Sequence, residues 1–205
     1  MQFARSFLAL GDSYTIGEGV AAAERWPMQL AARLRNEGVG VDDPMIVATT
    51  GWTTDELAAA MDAASFDPSY ALVSLLIGVN NQYRGRPLDE YRAQFRALLQ
   101  RAVVLAGGAA SHVIVVSIPD WGATPSARRE GRDRAVIARE IDAFNAAARV
   151  EAESAGAHWV DVTTISRAPD ARAEIVTDGL HPSAAQYARW VEAVLPVARV
   201  ALRAK

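Results

Sequence analysis

The stretch FLALGDSYTIGEGV, residues 7–20, is an apolar run of strand length that stops abruptly on Gly11, Asp12 and Ser13. Phe7 to Leu10 shows no alternation of apolar and polar residues, the mark of a strand covered on both faces, as in a parallel sheet sandwiched between helices. Working outward, comparable runs at Met45–Thr49, Tyr70–Ile77, His112–Ile118 and His158–Val162 predict four more strands. They alternate with stretches of helical period, the signature of an α/β fold.

The helices are predicted over Trp26–Asn36, Thr54–Ala63, Pro87–Ala106, Arg134–Ala155 and Ser183–Leu202. Gly38 follows the first as a stop, Thr53 or Thr54 can cap the second, and Pro87 opens the third where a missing amide costs nothing. Pro196 is expected to kink or shorten the last helix. With 205 residues, about half of them apolar, the chain supports one core, so residues 1–205 are read as a single domain.

Charge and composition exclude several functions. A net charge of -3, from 24 acidic and 21 basic residues, gives no reason to expect nucleic acid or an anionic membrane as partner, and a small soluble ligand is the default. There is no cysteine, which removes thiol nucleophiles, disulfides and thiolate metal sites. The lone lysine is Lys205, so neither a Schiff-base nor a phosphate-loop lysine is expected inside the fold. The opening MQFARSFLALGDS is too short and too soon interrupted by Arg5 for a secretory signal, and no run reaches membrane-spanning length, so the chain reads as cytoplasmic.

In open parallel sheets ligands bind beyond the carboxyl ends of the strands. Strand one is followed by Ser13, strand two by Gly51 and strand three by Asn80, while Asp178 and His181 precede the final helix. A hydroxyl, a glycine amide, a carboxamide and an imidazole with a carboxylate are the inventory of acyl transfer from an ester. Ser13 is a weak nucleophile until a base takes its proton, and His181 is the candidate base. Asp178, three residues back across DGLHP, can fix the imidazole tautomer and stabilise the cation formed during attack. The Ser13 amide, the Gly51 amide and the Asn80 side chain are assigned as donors to the oxyanion. Each segment also has a bland reading: Gly-Asp-Ser as a turn and helix cap, Asn80 as a strand-end turn residue, DGLHPS as an aspartate turn before a helix. Asp12 is read as structural. The joint occurrence of all four favours catalysis.

These segments carry a resemblance. GDSYTIGEG, ATTGWTT, IGVNNQYRG and TDGLHPSAAQY resemble, in order, the four blocks of the SGNH or GDSL-type hydrolases, over Leu8 to His181. The third block departs from the commoner Gly-x-Asn-Asp by having Asn81, which bears on local loop geometry more than on catalysis. The resemblance implies a three-layer, flavodoxin-like sandwich with a five-stranded parallel sheet in order 2-1-3-4-5. It also implies esterase, lipase, thioesterase or sugar-deacetylase activity without a metal or other cofactor.

Hydrolysis of a carboxylic ester through an acyl-enzyme on Ser13 is the expected function, with a short acyl chain or O-acetyl group as substrate. A long-chain thioesterase or lysophospholipase, an acyltransferase on the same residues, and a binding module without turnover are the alternatives. Trp52, Tyr83 and Trp121 are candidate pocket residues. Arg84 and Arg86 are read as solvated loop arginines before an anion site, and the charge-dense SARREGRDRAVIARE, residues 126–140, as a solvated loop and helix face. His112 and His158 precede strands, at the end of the sheet opposite the crevice. Homodimerisation, and whether residues 121–133 cover the site, are left open.

Overall fold

A computed structural model describes residues 5–203; Lys205 lies outside them. Five strands, β1 (Phe7–Gly11), β2 (Met45–Ala48), β3 (Leu72–Leu76), β4 (Val113–Val116) and β5 (His158–Val160), form an all-parallel sheet in the order β2-β1-β3-β4-β5. The sheet is crossed by α2 (Trp26–Asn36), α3 (Thr54–Ala63), α5 (Leu88–Leu105), α7 (Arg134–Ala155) and α9 (Ala184–Ala201), with α1 (Ser13–Ile16), α4 (Val79–Tyr83), α6 (Pro125–Arg129) and α8 (Thr163–Ser166) as short helices between them.

Right-handed crossovers dictate the layers. The chain moves one way from β1 to β2 and the other way from β2 through β5, so α2 lies on one face with α9 packed on it, and α3, α5 and α7 pack on the other. Every residue of β1 and β3 is buried, which explains why neither strand alternates. Register holds the carboxyl ends level: Gly11 pairs with Ala48 of β2 and with Leu76 of β3. Ser13, Gly51 and Asn80 therefore leave the same edge of the sheet within one turn of one another.

The structure trims several expected elements. Tyr70 falls outside β3 because its N–H donates to the Leu105 carbonyl at the end of α5. His112 belongs to a 3-10 turn, Ala110–His112, ahead of β4. β5 ends at Val160, and the N–H groups of Val162 and Thr163 turn to Ser117 Oγ. Pro87 occupies the N-cap of α5, not its first turn. Pro196 does not shorten α9, which runs on to Ala201; Pro196 and Glu192, the residue whose carbonyl loses its helical partner, both lie on the exposed side, where that loss is least costly.

The layer of α5 and α7 is fastened by one carboxylate. Glu151 on α7 is buried, and its oxygens accept from Arg92 Nε at 2.6 Å, Arg96 Nε at 2.6 Å and Arg96 Nη2 at 2.8 Å. The Arg96 bond, outweighing burial and reinforced by Arg92, holds its carboxyl down to about 2. A depressed carboxyl contributes stability above its unfolded value of 4.5 and loses it as pH falls toward about 2. Glu151→Gln is expected to lower stability by about 1 kcal/mol at neutral pH. In urea titrations that difference should shrink progressively as pH falls from 4.5 toward about 2; a difference that persists unchanged in acid would contradict this account.

Candidate active site

β1 delivers Ser13 because the chain turns sharply after Gly11. A Cβ on Gly11 would lie 2.2 Å from Thr15 Oγ1 and 2.5 Å from the Leu76 carbonyl, so only glycine lets α1 fold back against the end of β3. Asp12 then caps α1, its Oδ1 accepting from the Tyr14 N–H at 3.0 Å, the structural role expected of it. Burial pushes the Asp12 carboxyl up to about 7 against the opposing pull of that N–H.

The second loop is held by partners from the third. Gly51 takes φ +90°, a conformation for which glycine is suited. Its carbonyl accepts from Arg84 Nη2 at 2.7 Å, and the neighbouring Trp52 carbonyl accepts from Asn80 Nδ2 at 2.8 Å. Asn81 is fully buried and ties the base of the same loop to α3: its Oδ1 accepts from the Thr54 N–H at 3.1 Å and its Nδ2 donates to Thr54 Oγ1 at 2.7 Å. A carboxylate could accept the first bond but could not donate the second. Thr54 passes the chain of bonds on to Gln94.

Asp178 and His181 come from a turn that closes on itself. The Val176 N–H donates to the His181 carbonyl and the Gly179 N–H to the Val176 carbonyl, both at 2.9 Å. Asp178 Oδ1 accepts from the N–H groups of Leu180 at 2.7 Å and His181 at 3.0 Å, leaving Oδ2 for His181 Nδ1 at 2.6 Å. Burial raises the Asp178 carboxyl, but the His181 ring and the two N–H groups outweigh it and hold the carboxyl below the usual range. A carboxylate only accepts, so Nδ1 carries the proton and Nε2 is left with a free lone pair. Tyr14 packs edge-on against the imidazole at 5.7 Å.

Ser13, Gly51, Asn80 and His181 all line one cavity of about 250 Å³. Ser13 and His181 are only 5% and 7% exposed. Tyr83 and Trp121 line the same cavity in a T-shaped pair 5.4 Å apart. Trp52 does not line it: its ring packs half-buried against the core, because the Asn80 bond to its carbonyl turns this loop inward. Arg84 and Arg86 are engaged by Glu56 and by Asp55 and Glu90, as suits surface arginines, with Arg84 adding the unforeseen bond to Gly51. His112 and His158 stand at the amino ends of β4 and β5, away from the cavity. Among the described residues no cluster of three or more histidine, aspartate or glutamate side chains could hold a metal.

The expectation for residues 126–140 needs correction. This segment builds a wall of the site: Glu130 lines the cavity, and Arg132 lies over both aromatic rings, 4.9 Å from Trp121 and 5.4 Å from Tyr83. Arg129 donates to the Asp178 carbonyl. Mixed charge hid these roles, since Arg129 and Arg132 act through contacts distant in sequence. Trp121 itself is fixed by its Nε1–H to Gln82 Oε1 at 2.8 Å, and Gln82 in turn by Glu140 at 2.6 Å. Thr50, Val79 and Leu180 also line the cavity and follow only from adjacency to the motif residues.

Known structures share this arrangement of strands. The chain is similar to the crystal structure of TesA (TM-score 0.73, 22% identity, 96% of this chain and 99% of that one). It is similar also to a lipase/acylhydrolase from Enterococcus faecalis (0.73, 20%, 98% and 97%) and to the acetylxylan esterase Axe2 from Geobacillus stearothermophilus (0.72, 20%, 97% and 96%). No curated protein matches the chain. The model of the GDSL-like lipase/acylhydrolase family matches residues 9–189, from the strand ahead of Ser13 through the start of α9, and the chain belongs to that family.

Proposed function

We propose that the protein is a serine esterase that hydrolyses a carboxylic ester, of short acyl chain or an O-acetyl group, through an acyl-enzyme on Ser13. The observation that carries the reading is the 2.6 Å bond from Asp178 to His181 Nδ1, in a cavity that Ser13 shares. His181 Nε2 takes the Ser13 proton as Oγ attacks the carbonyl carbon. The oxyanion is received by the N–H groups of Ser13 and Gly51 and by Asn80 Nδ2, whose amide has a second proton once the first is bound to Trp52. Collapse expels the alcohol, which takes the proton from His181. Water then attacks the acyl-enzyme by the same route and releases the acid.

Cavity size supports a small acyl group. At about 250 Å³ the space is below the usual range for drug-sized ligands, and the Tyr83–Trp121 pair with Arg132 over it bounds one side. Across p-nitrophenyl esters from acetate to palmitate, kcat/KM should peak at the shortest chains. Ser13→Ala and His181→Ala should each lower kcat by roughly 10,000-fold or more. An optimum at long chains would transfer the reading to a thioesterase or lysophospholipase, and turnover that survives both substitutions would refute it.

Asn80 offers a separate test because its amide does two jobs. Asn80→Ala removes an oxyanion donor and frees the loop carrying Gly51, so kcat should fall by at least about 100-fold while KM changes little. Equal effects on the two parameters, or a change in KM alone, would place Asn80 in ground-state binding instead.

A further inference from the structure

Asp178 is more exposed than the residues it serves: its side chain retains 40% of its accessible surface, against 9% for His181. The core grips this turn through Leu180 and His181, and the carbonyls of Asp178 and Gly179 are held by the segment that reads in sequence as a solvated charge run. The Ser126 N–H at the start of α6 donates to the Gly179 carbonyl at 2.9 Å, and the Arg129 guanidinium donates to the carbonyl of Asp178. Two successive peptide groups, immediately after the aspartate, are thus held by one short helix.

Gly179 is shaped to this contact. It takes φ +74°, and a Cβ there would sit 2.7 Å from both terminal nitrogens of Arg129, so the glycine admits the turn and leaves the guanidinium room to lie against its backbone. Arg129 meets the backbone of Asp178 and not its carboxylate, whose oxygens are already committed to His181, Leu180 and the His181 N–H.

Resting on the esterase reading, we infer that Arg129 is a positioning residue, which holds the Asp178–Gly179 peptide and thereby fixes the reach of Asp178 to His181. It works against the entropy cost of ordering a long side chain at the surface, which is why a contact this exposed calls for a direct test. Because Glu130, the next residue, lines the cavity, the clasp also joins the wall of the site to the acid of the triad.

The test compares wild type, Arg129→Ala and Arg129→Lys by kcat and KM on p-nitrophenyl acetate, thermal midpoint, and the proton NMR signal of His181 Nδ1–H. Arg129→Ala should lose about 10- to 100-fold in kcat with KM nearly unchanged, and its midpoint should stay within about 4 °C of wild type. Free guanidinium at about 20 mM, far below denaturing levels, should restore part of the loss. Arg129→Lys, keeping a donor and the charge, should fall between the two. The Nδ1 proton signal should broaden or shift in the alanine variant, as its bond to Asp178 loosens. An alanine variant with wild-type kcat and an unchanged proton signal overturns the inference. So does a loss of kcat that tracks a fall in midpoint and resists guanidinium. Should wild type turn over no ester, the proposed function fails by itself, and the proton signal alone decides whether Arg129 holds the pair.

Discussion

The site depends on the level carboxyl edge of a parallel sheet. Register aligns Gly11, Ala48 and Leu76, and the strand order reverses around β1, so the loops after β1, β2 and β3 open into one crevice where no helix crosses. Displacing β1 by one residue would invert every buried side chain of a strand covered on both faces and move Ser13 with it. Packing and chemistry are therefore bound together: the apolar contacts that fix the register also fix the position of the hydroxyl.

Within that frame the loops hold one another. Asn80 bonds the Trp52 carbonyl, Arg84 the Gly51 carbonyl, and Asn81 both polar groups of Thr54. Two successive positions of the second loop and the first residue of α3 are thus set by residues of α4 and its flank. Such cross-bracing suits a site that must present donors to a charge before that charge appears, since donors that reorganise during reaction are less effective. Asp12 shows the opposing cost. Its burial beside Ser13 raises its carboxyl to about 7, which the capping bond to Tyr14 only partly offsets.

Much of this was legible in the sequence. The strands lie within short, mostly apolar runs, and the long helices carry clear periodicity, as α2, α3 and α7 show over their full lengths. Helices of four or five residues were not legible, because α1, α4, α6 and α8 are too short for periodicity to appear and are set by tertiary contacts. The motif residues Ser13, Gly51, Asn80 and His181 could be placed on one edge because each follows or precedes an element whose type was clear. Trp52 could not, since the direction of a loop side chain depends on a bond from Asn80, 28 residues away. Arg129 and Arg132 were illegible for the same reason: composition reports charge and says nothing of the carbonyl or ring that each one meets.

The central claim is that Ser13 is an activated nucleophile. Its most direct test is treatment of the native protein with a fluorophosphonate, followed by peptide mapping of wild type and His181→Ala. A single adduct on Ser13 of wild type, formed far more slowly in the variant, is the predicted result. An unmodified Ser13, or labelling that is equally fast without His181, would contradict it.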